Sequence, residues 1–185
     1  EKLVIIAPSY GEKNLLEICG EKLIEILLKE NFKVLLRPHY RILNDSKKLI
    51  NSIKEKFGKN KNFIFEESVI PSESFHNSKC LISDWSGISF EYAFVFEKPI
   101  IFIDVPKKIL NTEFNRISSE PIEIAIREKI GKIVSPDNLS EIPDLIKKID
   151  IDSNLINNEI NKFLISFESA SSAARKEDVF QSYFQ

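Results

Sequence analysis

The 185-residue sequence contains no methionine and only two cysteines, Cys19 and Cys80. Without methionine the chain has no initiator residue, and Glu1 stands directly before an apolar run, so we expect the sequence to be a piece of a longer protein. The first cysteine falls in a helical pattern and the second opens a strand pattern. Two buried thiols are therefore predicted rather than a disulfide, which suits a reducing cytoplasm.

Neither sign of charge dominates the sequence. Its 26 basic and 28 acidic residues give a formal net charge of −2. Proteins dedicated to nucleic acids usually show a strong basic excess, so this balance argues against nucleic acid as a partner. Wholly apolar runs reach about five residues, whereas a membrane-spanning helix needs roughly twenty. No signal-peptide pattern opens the chain.

Three common site signatures are also missing. The five glycines form neither a Walker phosphate loop nor a GxGxxG turn, which argues against P-loop ATP hydrolysis and against dinucleotide binding of the NAD type. No cysteine and histidine pattern of a zinc site is present. His76 has no metal-ligand companion at a workable spacing, so we interpret it as an ordinary helix residue and predict no metal site.

Short apolar runs alternate with helical patterns over the first part of the chain. Strands are predicted at residues 3–7, 33–36, 63–65, 80–82 and 100–103, and helices at 12–30, from Asn44 or Asp45 to 57, from 71 onwards and at 86–96. Continuous apolar runs such as LVIIA are typical of strands that are buried on both faces. The alternation predicts an α/β fold, a Rossmann-like doubly wound parallel sheet with helices on both faces.

Beyond Asp104 the periodicity weakens. A long loop with some helix is predicted at 105–120, helices at 123–129, 139–149 and 155–167, and an edge strand at 131–134. The hydrophobic content of 43% is enough for one sizeable core. We therefore expect one Rossmann-like domain over residues 1–150. Residues 151–185 are expected to form C-terminal helices that pack on it or towards a missing N-terminal half.

The tripeptide Arg37-Pro38-His39 follows the second predicted strand. In a parallel sheet ligands gather beyond the carboxyl ends of the strands, so both polar side chains are candidates for a binding crevice. Arg37 offers a fixed fork of donors for phosphate, and His39 can donate a proton or a hydrogen bond to a departing phosphate. The alternative is a loop held by proline with two solvated side chains.

A second cluster, SDWSG, follows the fourth predicted strand. The free amides and positive dipole end of the helix that begins there attract phosphate, which makes Asp84, Ser86 and Gly87 candidate phosphate contacts. Ser86 and Gly87 could instead be nothing more than the helix N-cap, and Asp84 could be a capping or turn residue. Trp85 either stacks on a base or covers the turn.

Glu91 lies in the first turns of that helix, amid apolar residues. An acidic side chain is unfavourable beside an anion, and in apolar surroundings it needs a partner, either an arginine of the fold or a ribose hydroxyl. We interpret Glu91 as the ribose ligand of a nucleotide-diphosphate site. Ser9 and Gly11, after the first strand, are further candidates for contact with a phosphate or an acceptor.

The motifs APSYG, RPHY and SDWSGISFEYAFVFEKPIIF, in this order and spacing, resemble the C-terminal half of the CDP-glycerol glycerophosphotransferases of teichoic-acid and capsule synthesis. The resemblance covers most of residues 3–150. That family usually shows RPHP and SDYSS, where this chain has Tyr40 for the second proline, Trp85 for tyrosine and Gly87 for the second serine. The same layout resembles UDP-N-acetylglucosamine 2-epimerases, in which SGG and a helical Glu hold the nucleotide.

The resemblance implies a GT-B architecture, in which two Rossmann-like halves face each other across a cleft and this chain is the donor-binding half. The enzyme would transfer glycerol phosphate from CDP-glycerol to a cell-surface polymer or a lipid-linked acceptor, without a cofactor or a metal. His39 would be the catalytic residue, neutralising charge on the departing phosphate. The amides after Ser86 would hold the same phosphates, and Glu91 would bind the ribose.

The acceptor-activating base would come from the missing N-terminal domain, so the isolated chain is expected to bind the donor without turnover. The family's acceptors place such an enzyme in the cytoplasm, peripherally on the inner face of the cell membrane. Two alternatives stay open: a nucleotide-sugar glycosyltransferase or 2-epimerase-like enzyme, and a non-catalytic interaction domain that kept the fold. The residues do not name the base, the transferred group or the acceptor.

Overall fold

The computed structural model describes residues 2–67, 73–107 and 126–149. Within these ranges six strands form one parallel sheet in the order β3-β2-β1-β4-β5-β6. The strands are β1 (Leu3–Ala7), β2 (Lys33–Leu36), β3 (Phe63–Phe65), β4 (Cys80–Ser83), β5 (Ile100–Ile103) and β6 (Gly131–Val134). The predicted Rossmann-like doubly wound α/β fold is confirmed, and so is the position of β6 at an edge.

Helices connect the strands and cover both faces of the sheet. They are α1 (Glu21–Lys29), which continues a π-helical turn at Leu16–Gly20, α2 (Tyr40–Asp45), α3 (Lys47–Phe57), α4 (Glu73–Asn77), α5 (Ile88–Phe96), α6 (Arg127–Ile130) and α7 (Ile142–Lys148), which a 3-10 turn at Pro136–Glu141 precedes. Several predicted elements lie partly or wholly outside the described residues. They are the start of the helix expected from residue 71, most of the loop expected at 105–120, the first residues of the helix at 123–129, and everything from 150 to 185.

Two predicted helix starts are wrong. The helix expected from residue 12 becomes helical only at Leu16, because Gly11 and Lys13 have φ angles of 91° and 56° and form a left-handed turn before it. Asn44 or Asp45 was expected to cap the helix that ends at 57, but both lie in α2, and Ser46 occupies the N-cap position of α3. The helix α2 forms because His39 acts as its N-cap and accepts a hydrogen bond from the Arg41 amide.

Successive residues of each central strand point to opposite cores. Ile6 of β1 belongs to the core beneath α1, α3 and α7, whereas its neighbour Ile5 belongs to the core formed with α4, α5 and α6. Both side chains are fully buried. Burial on both faces is the physical reason why β1 reads as an unbroken apolar run.

The topology has its switch point between β1 and β4. The chain runs outward from β1 to β3 and then crosses back, so that β4 pairs with the other side of β1. At such a switch point the connections leave the sheet in opposite directions, and ligands bind beyond the carboxyl ends of the strands. The pairing of Ala7 with Ser83 brings the segment after β1 alongside the segment after β4.

Lys98 has a structural role in front of β5. Its ammonium group donates to the carbonyl oxygens of Phe75 at 3.1 Å, Ser78 at 2.7 Å and also His76. These carbonyls belong to the last turn of α4 and the residue just after it, where a positive charge compensates the helix dipole. The lysine of the KPII sequence therefore joins α4 to the start of β5.

Cys19 and Cys80 are buried free thiols, as predicted. Burial raises the pKa of the Cys19 thiol to about 11 and that of the Cys80 thiol to about 12. Both therefore stay protonated near neutral pH. Among residues 2–67, 73–107 and 126–149, no helix is long and apolar enough to cross a membrane.

Candidate functional site

Asp84 links the segment that follows β4 to the segment that follows β1 through hydrogen bonds. Its Oδ1 accepts from the Ser9 amide at 2.7 Å, and its Oδ2 accepts from the Leu15 amide at 2.9 Å. Only 1% of the residue is exposed. The carboxylate lies at the start of the helical segment after β1, the place where Rossmann folds commonly hold an anionic ligand. Here the protein supplies the anion itself.

Asn14 completes this closed helix start, and the sequence analysis missed it. Its Oδ1 accepts from the amides of Leu16 at 2.9 Å and Glu17 at 3.1 Å, and its Nδ2 donates to the Gly11 carbonyl at 2.6 Å. An asparagine just before an apolar periodic run is a recognised helix-start signal. Together Asn14 and Asp84 satisfy three successive amides, which leaves little room for a ligand phosphate there.

The start of α5 is open by comparison. Gly87 occupies its N-cap position, as the capping alternative allowed, whereas the Ser86 side chain makes no capping hydrogen bond to the helix. Within the described residues no hydrogen bond uses the amides of Gly87 or Ile88. A Cβ added at Gly87 would meet no atom within 4 Å in the part of the chain that the structure describes. Of the two helix starts at the switch point, this one has amides that no described group occupies.

Arg37 is buried among the protein's own groups. Its Nη1 lies 3.6 Å from Glu66 Oε2, and its guanidinium carbon lies 4.8 Å from the centre of the Phe75 ring. Burial lowers the pKa of the Arg37 guanidinium, and the charges of Glu66 and Glu91 oppose that shift. The expected phosphate contact of Arg37 stays a prediction.

Glu91 is exposed, although its neighbours in sequence are apolar. The helix α5 turns Tyr92 and Ala93 into the core and leaves Glu91 on its outer side. Burial therefore does not force a partner on this carboxylate, which removes one reason for the ribose assignment. Its charge acts on Arg37 without forming an ion pair, and the ribose contact stays a prediction.

His39 lies half-buried between two tyrosine rings. Its ring centre is 4.8 Å from that of Tyr10 and 4.5 Å from that of Tyr40. The Arg41 amide donates to His39 Nδ1 at 3.3 Å. In a neutral imidazole whose Nδ1 accepts, the proton is on Nε2, so Nε2 is the nitrogen that can donate.

The two candidates after β1 differ in accessibility. Ser9 is 3% exposed, and within the described residues its Oγ has no hydrogen-bond partner. Gly11 is exposed in the left-handed turn. The structure thus brings Ser9 next to Asp84 at the β1–β4 boundary and leaves Gly11 on the rim.

Arg127 is a further residue that the sequence analysis missed. Its guanidinium carbon lies 3.8 Å from the centre of the Trp85 ring, and its Nη2 donates to the Ile103 carbonyl at 3.4 Å. The indole Nε1 in turn donates to the Val105 carbonyl at 3.0 Å. Trp85 therefore covers the turn, and the face beneath Arg127 is closed to a base.

Metal ligands are not grouped in the part of the chain that the structure describes. No three His, Cys, Asp or Glu side chains there lie together in an arrangement that could hold a metal ion. The expected metal-free reaction stays a prediction.

Solved structures with a similar fold include the UDP-GlcNAc 2-epimerase of Methanocaldococcus jannaschii, in complex with UDP-GlcNAc and UDP. It has a TM-score of 0.50 and 14% identity, and the likeness covers 88% of this chain and 45% of that chain. Phenylacrylic acid decarboxylase from Aquifex aeolicus has a TM-score of 0.43 and 17% identity, with 89% and 94% covered. The first likeness concerns the fold alone, and this chain spans less than half of that epimerase. A comparison with curated proteins found no match.

The family of CDP-glycerol:poly(glycerophosphate) glycerophosphotransferases provides a direct sequence match. Its profile matches residues 1–112, which contain β1 to β5 and the motifs APSYG, RPHY and SDWSG. Every candidate residue named from the sequence lies in this range. Because the match covers more than half of the 185 residues, the chain belongs to the CDP-glycerol:poly(glycerophosphate) glycerophosphotransferase family.

Proposed function

We propose that this chain is the donor-binding half of a glycerophosphotransferase and that it holds CDP-glycerol at the carboxyl edge of its sheet. The observation that carries the proposal is the contrast between two helix starts at the switch point. Asp84 and Asn14 close the one after β1, whereas the start of α5 is uncapped and opens at Gly87. Family membership supplies the class of donor.

The diphosphate of the donor would bind at the start of α5. The amides of Gly87 and Ile88 donate to its oxygens, and the positive end of the helix dipole favours the negative charge. A glycine suits this position because no described residue occupies the space beside its α-carbon, so a ligand oxygen can approach the backbone. The ribose lies further along α5, within reach of the exposed Glu91 carboxylate.

His39 would assist the departure of the nucleotide. An acceptor hydroxyl attacks the phosphorus of the glycerol phosphate group, a new P–O bond forms, and the bond to the bridging oxygen of CMP breaks. Negative charge develops on the departing phosphate. The Nε2–H of His39 donates to that oxygen, because Nδ1 is engaged by the Arg41 amide. A donor aimed at developing charge is a major source of rate acceleration in enzymes.

The proton of the acceptor hydroxyl goes to a base in the N-terminal half of the enzyme. This chain matches 45% of the epimerase chain, and two facing Rossmann-like halves of the GT-B type fit that proportion. The acceptor is a polymer or lipid-linked phosphodiester, and the enzyme works peripherally on the inner face of the cell membrane.

A ligand panel followed by thermal shift tests the proposal. The chain is titrated with CDP-glycerol, CMP, UDP and UDP-sugars. A ligand at one hundred times its dissociation constant adds about 2.7 kcal/mol to the free energy of unfolding. Cytidine-selective stabilisation supports the proposal, and stabilisation by uridine nucleotides instead favours a 2-epimerase-like or glycosyltransferase activity. Stabilisation by neither class points to a non-catalytic interaction domain.

A further inference from the structure

We propose that Arg41 is the centre of an anion-binding site beside His39, and that this site takes a phosphate group of a substrate. The inference rests on the proposed function, since His39 there faces the reacting phosphate. The site consists of Tyr10, Tyr40 and Arg41, which we call the tyrosine–arginine site. Two sources of the phosphate are possible, the diphosphate of the donor and the phosphodiester backbone of the acceptor.

Two tyrosines hold the Arg41 guanidinium without neutralising it. The guanidinium carbon lies 4.7 Å from the centre of the Tyr10 ring and 5.9 Å from that of the Tyr40 ring. Its Nε donates to Tyr40 Oη at 3.3 Å, and this bond raises the pKa of the guanidinium. Contacts with aromatic faces leave the full positive charge in place.

The terminal nitrogens of Arg41 are suited to a ligand with two neighbouring oxygen atoms. Within the described residues they make no hydrogen bond or ion pair, and the charge of Asp45 acts on Arg41 only from a greater distance. A guanidinium fixed through Nε presents these nitrogens as a planar fork, which matches two oxygens of one phosphate.

The same two rings place Arg41 close to His39. The Tyr10 ring centre lies 4.8 Å from the imidazole centre and 4.7 Å from the guanidinium carbon. The backbone amide of Arg41 also donates to His39 Nδ1. A phosphate that accepts from His39 Nε2 therefore lies in the region that the Arg41 side chain reaches.

Arg37, the other arginine next to this histidine, cannot do the same without rearrangement. Its side chain is 8% exposed and paired with Glu66, whereas Arg41 is exposed. Tyr40 stands where the family usually has a second proline, and a proline could offer neither the ring nor the hydroxyl that hold Arg41. The Tyr40 side chain is 51% accessible, and its contacts with Arg41 explain why a large aromatic residue lies at this exposed position.

Calorimetric titration of the 185-residue chain tests the site with three probes: inorganic pyrophosphate, CDP-glycerol and a defined glycerol phosphate oligomer. We expect Arg41→Gln to weaken at least one of them by about tenfold, which corresponds to 1.4 kcal/mol. Arg41→Lys keeps the charge but loses the fork, so it should recover only part of the affinity. Tyr40→Phe keeps the ring and removes the hydroxyl, so we expect a smaller loss than for Arg41→Gln.

Lys61→Gln is the matched control, because it removes one positive charge from an exposed residue before β3, at the opposite edge of the sheet. A loss for pyrophosphate and CDP-glycerol assigns the site to the donor, and a loss for the oligomer alone assigns it to the acceptor. Equal affinities for wild type and Arg41→Gln, or a wild type that binds neither pyrophosphate nor the oligomer, overturn the inference. Failure of the proposed function alone is recognisable, since pyrophosphate binding would then depend on Arg41 without any preference for cytidine nucleotides.

Discussion

The two oxygens of Asp84 accept from backbone amides that lie in different parts of the β1–α1 connection, at Ser9 and Leu15. Asp84→Asn replaces one of these oxygens by an amide group that cannot accept, so one buried N–H loses its partner. We expect the free energy of unfolding to fall by about 1–3 kcal/mol. Urea denaturation measures the change. The control is Asp137→Asn, at an exposed carboxylate, where the change should stay within about 0.5 kcal/mol.

The two histidines of the chain offer a direct comparison of roles. His39→Ala in the full-length enzyme should lower kcat by on the order of a hundredfold, as loss of a charge-stabilising donor typically does. His76→Ala is the control, since His76 lies exposed on α4 with its ring against Phe96. Steady-state turnover of CDP-glycerol measures both. A folded His39→Ala enzyme with wild-type turnover would contradict the catalytic role.

The role of Glu91 can be tested by comparing ligands with and without ribose hydroxyls. Its carboxylate either binds the ribose or stabilises the charge of Arg37. If its carboxylate accepts from ribose hydroxyls, Glu91→Gln should weaken binding of CDP-glycerol about tenfold, as expected for hydrogen bonds to a charged group. A 2′,3′-dideoxy analogue should then bind wild type and variant alike. If the charge of Glu91 instead stabilises the buried Arg37 guanidinium, Glu91→Gln would lower the melting temperature and leave the relative affinities for the two ligands unchanged.

Single site residues could be predicted only where local sequence determines their position. The polar residues after β2 and β4 were found because the ends of apolar runs are visible in the sequence. Arg127 could not be found in this way, since its partner Trp85 lies on another strand connection. The exposure of Glu91 was also hidden, because α5 is apolar all round and its sequence does not reveal which side faces the core.

A substitution at Gly87, at the start of α5, can change the affinity for CDP-glycerol without lowering the stability of the fold. The glycine's φ and ψ of −58° and −26° suit any residue, and an added Cβ meets no atom of the described residues within 4 Å. Gly87→Ala should therefore leave the fold intact or stabilise it by up to about 1 kcal/mol, by restricting the unfolded chain. A methyl group in the path of the diphosphate should weaken CDP-glycerol binding by tenfold or more.

Gly131→Ala is the contrasting variant for that experiment. At this position a Cβ would lie 2.4 Å from the Ile100 carbonyl oxygen, so the variant should lose stability through a clash between β5 and β6. Circular dichroism melts and calorimetry on both variants distinguish the two effects. Unchanged CDP-glycerol affinity in Gly87→Ala would place the diphosphate elsewhere.

Strands were predicted more accurately than the starts of helices. An apolar run such as IIFI is long enough to be a strand and too short to be a helix, and burial on both faces leaves it no polar alternation. Helix starts depend on backbone geometry that the sequence shows only indirectly. The cap of α2 is a histidine nitrogen, and histidine is not among the residues that usually announce a helix start.

The strand order of the sheet determines where the candidate residues lie relative to one another. Strand order 3-2-1-4-5-6 places the carboxyl ends of β2, β1 and β4 next to each other. His39, Ser9 and Asp84 follow these three strands, and α5 begins shortly after Asp84 with Gly87 at its N-cap position and Glu91 in its first turn. The candidate residues therefore collect at one edge of the domain. The opposite edge carries the amino ends of the strands and none of the candidate residues.

In the proposed reaction this edge would hold the donor, and a facing N-terminal half would complete the site. We therefore predict that the 185-residue chain binds CDP-glycerol without releasing CMP when an acceptor polymer is added, because the proposed base for the acceptor hydroxyl belongs to the N-terminal half. Radiolabelled transfer and CMP release measure turnover, and calorimetry confirms binding in the same sample. Full-length enzyme at equal concentration is the positive control. Restored turnover on adding the separately produced N-terminal half would support two cooperating halves, whereas efficient transfer by this chain alone would show that its own residues activate the acceptor.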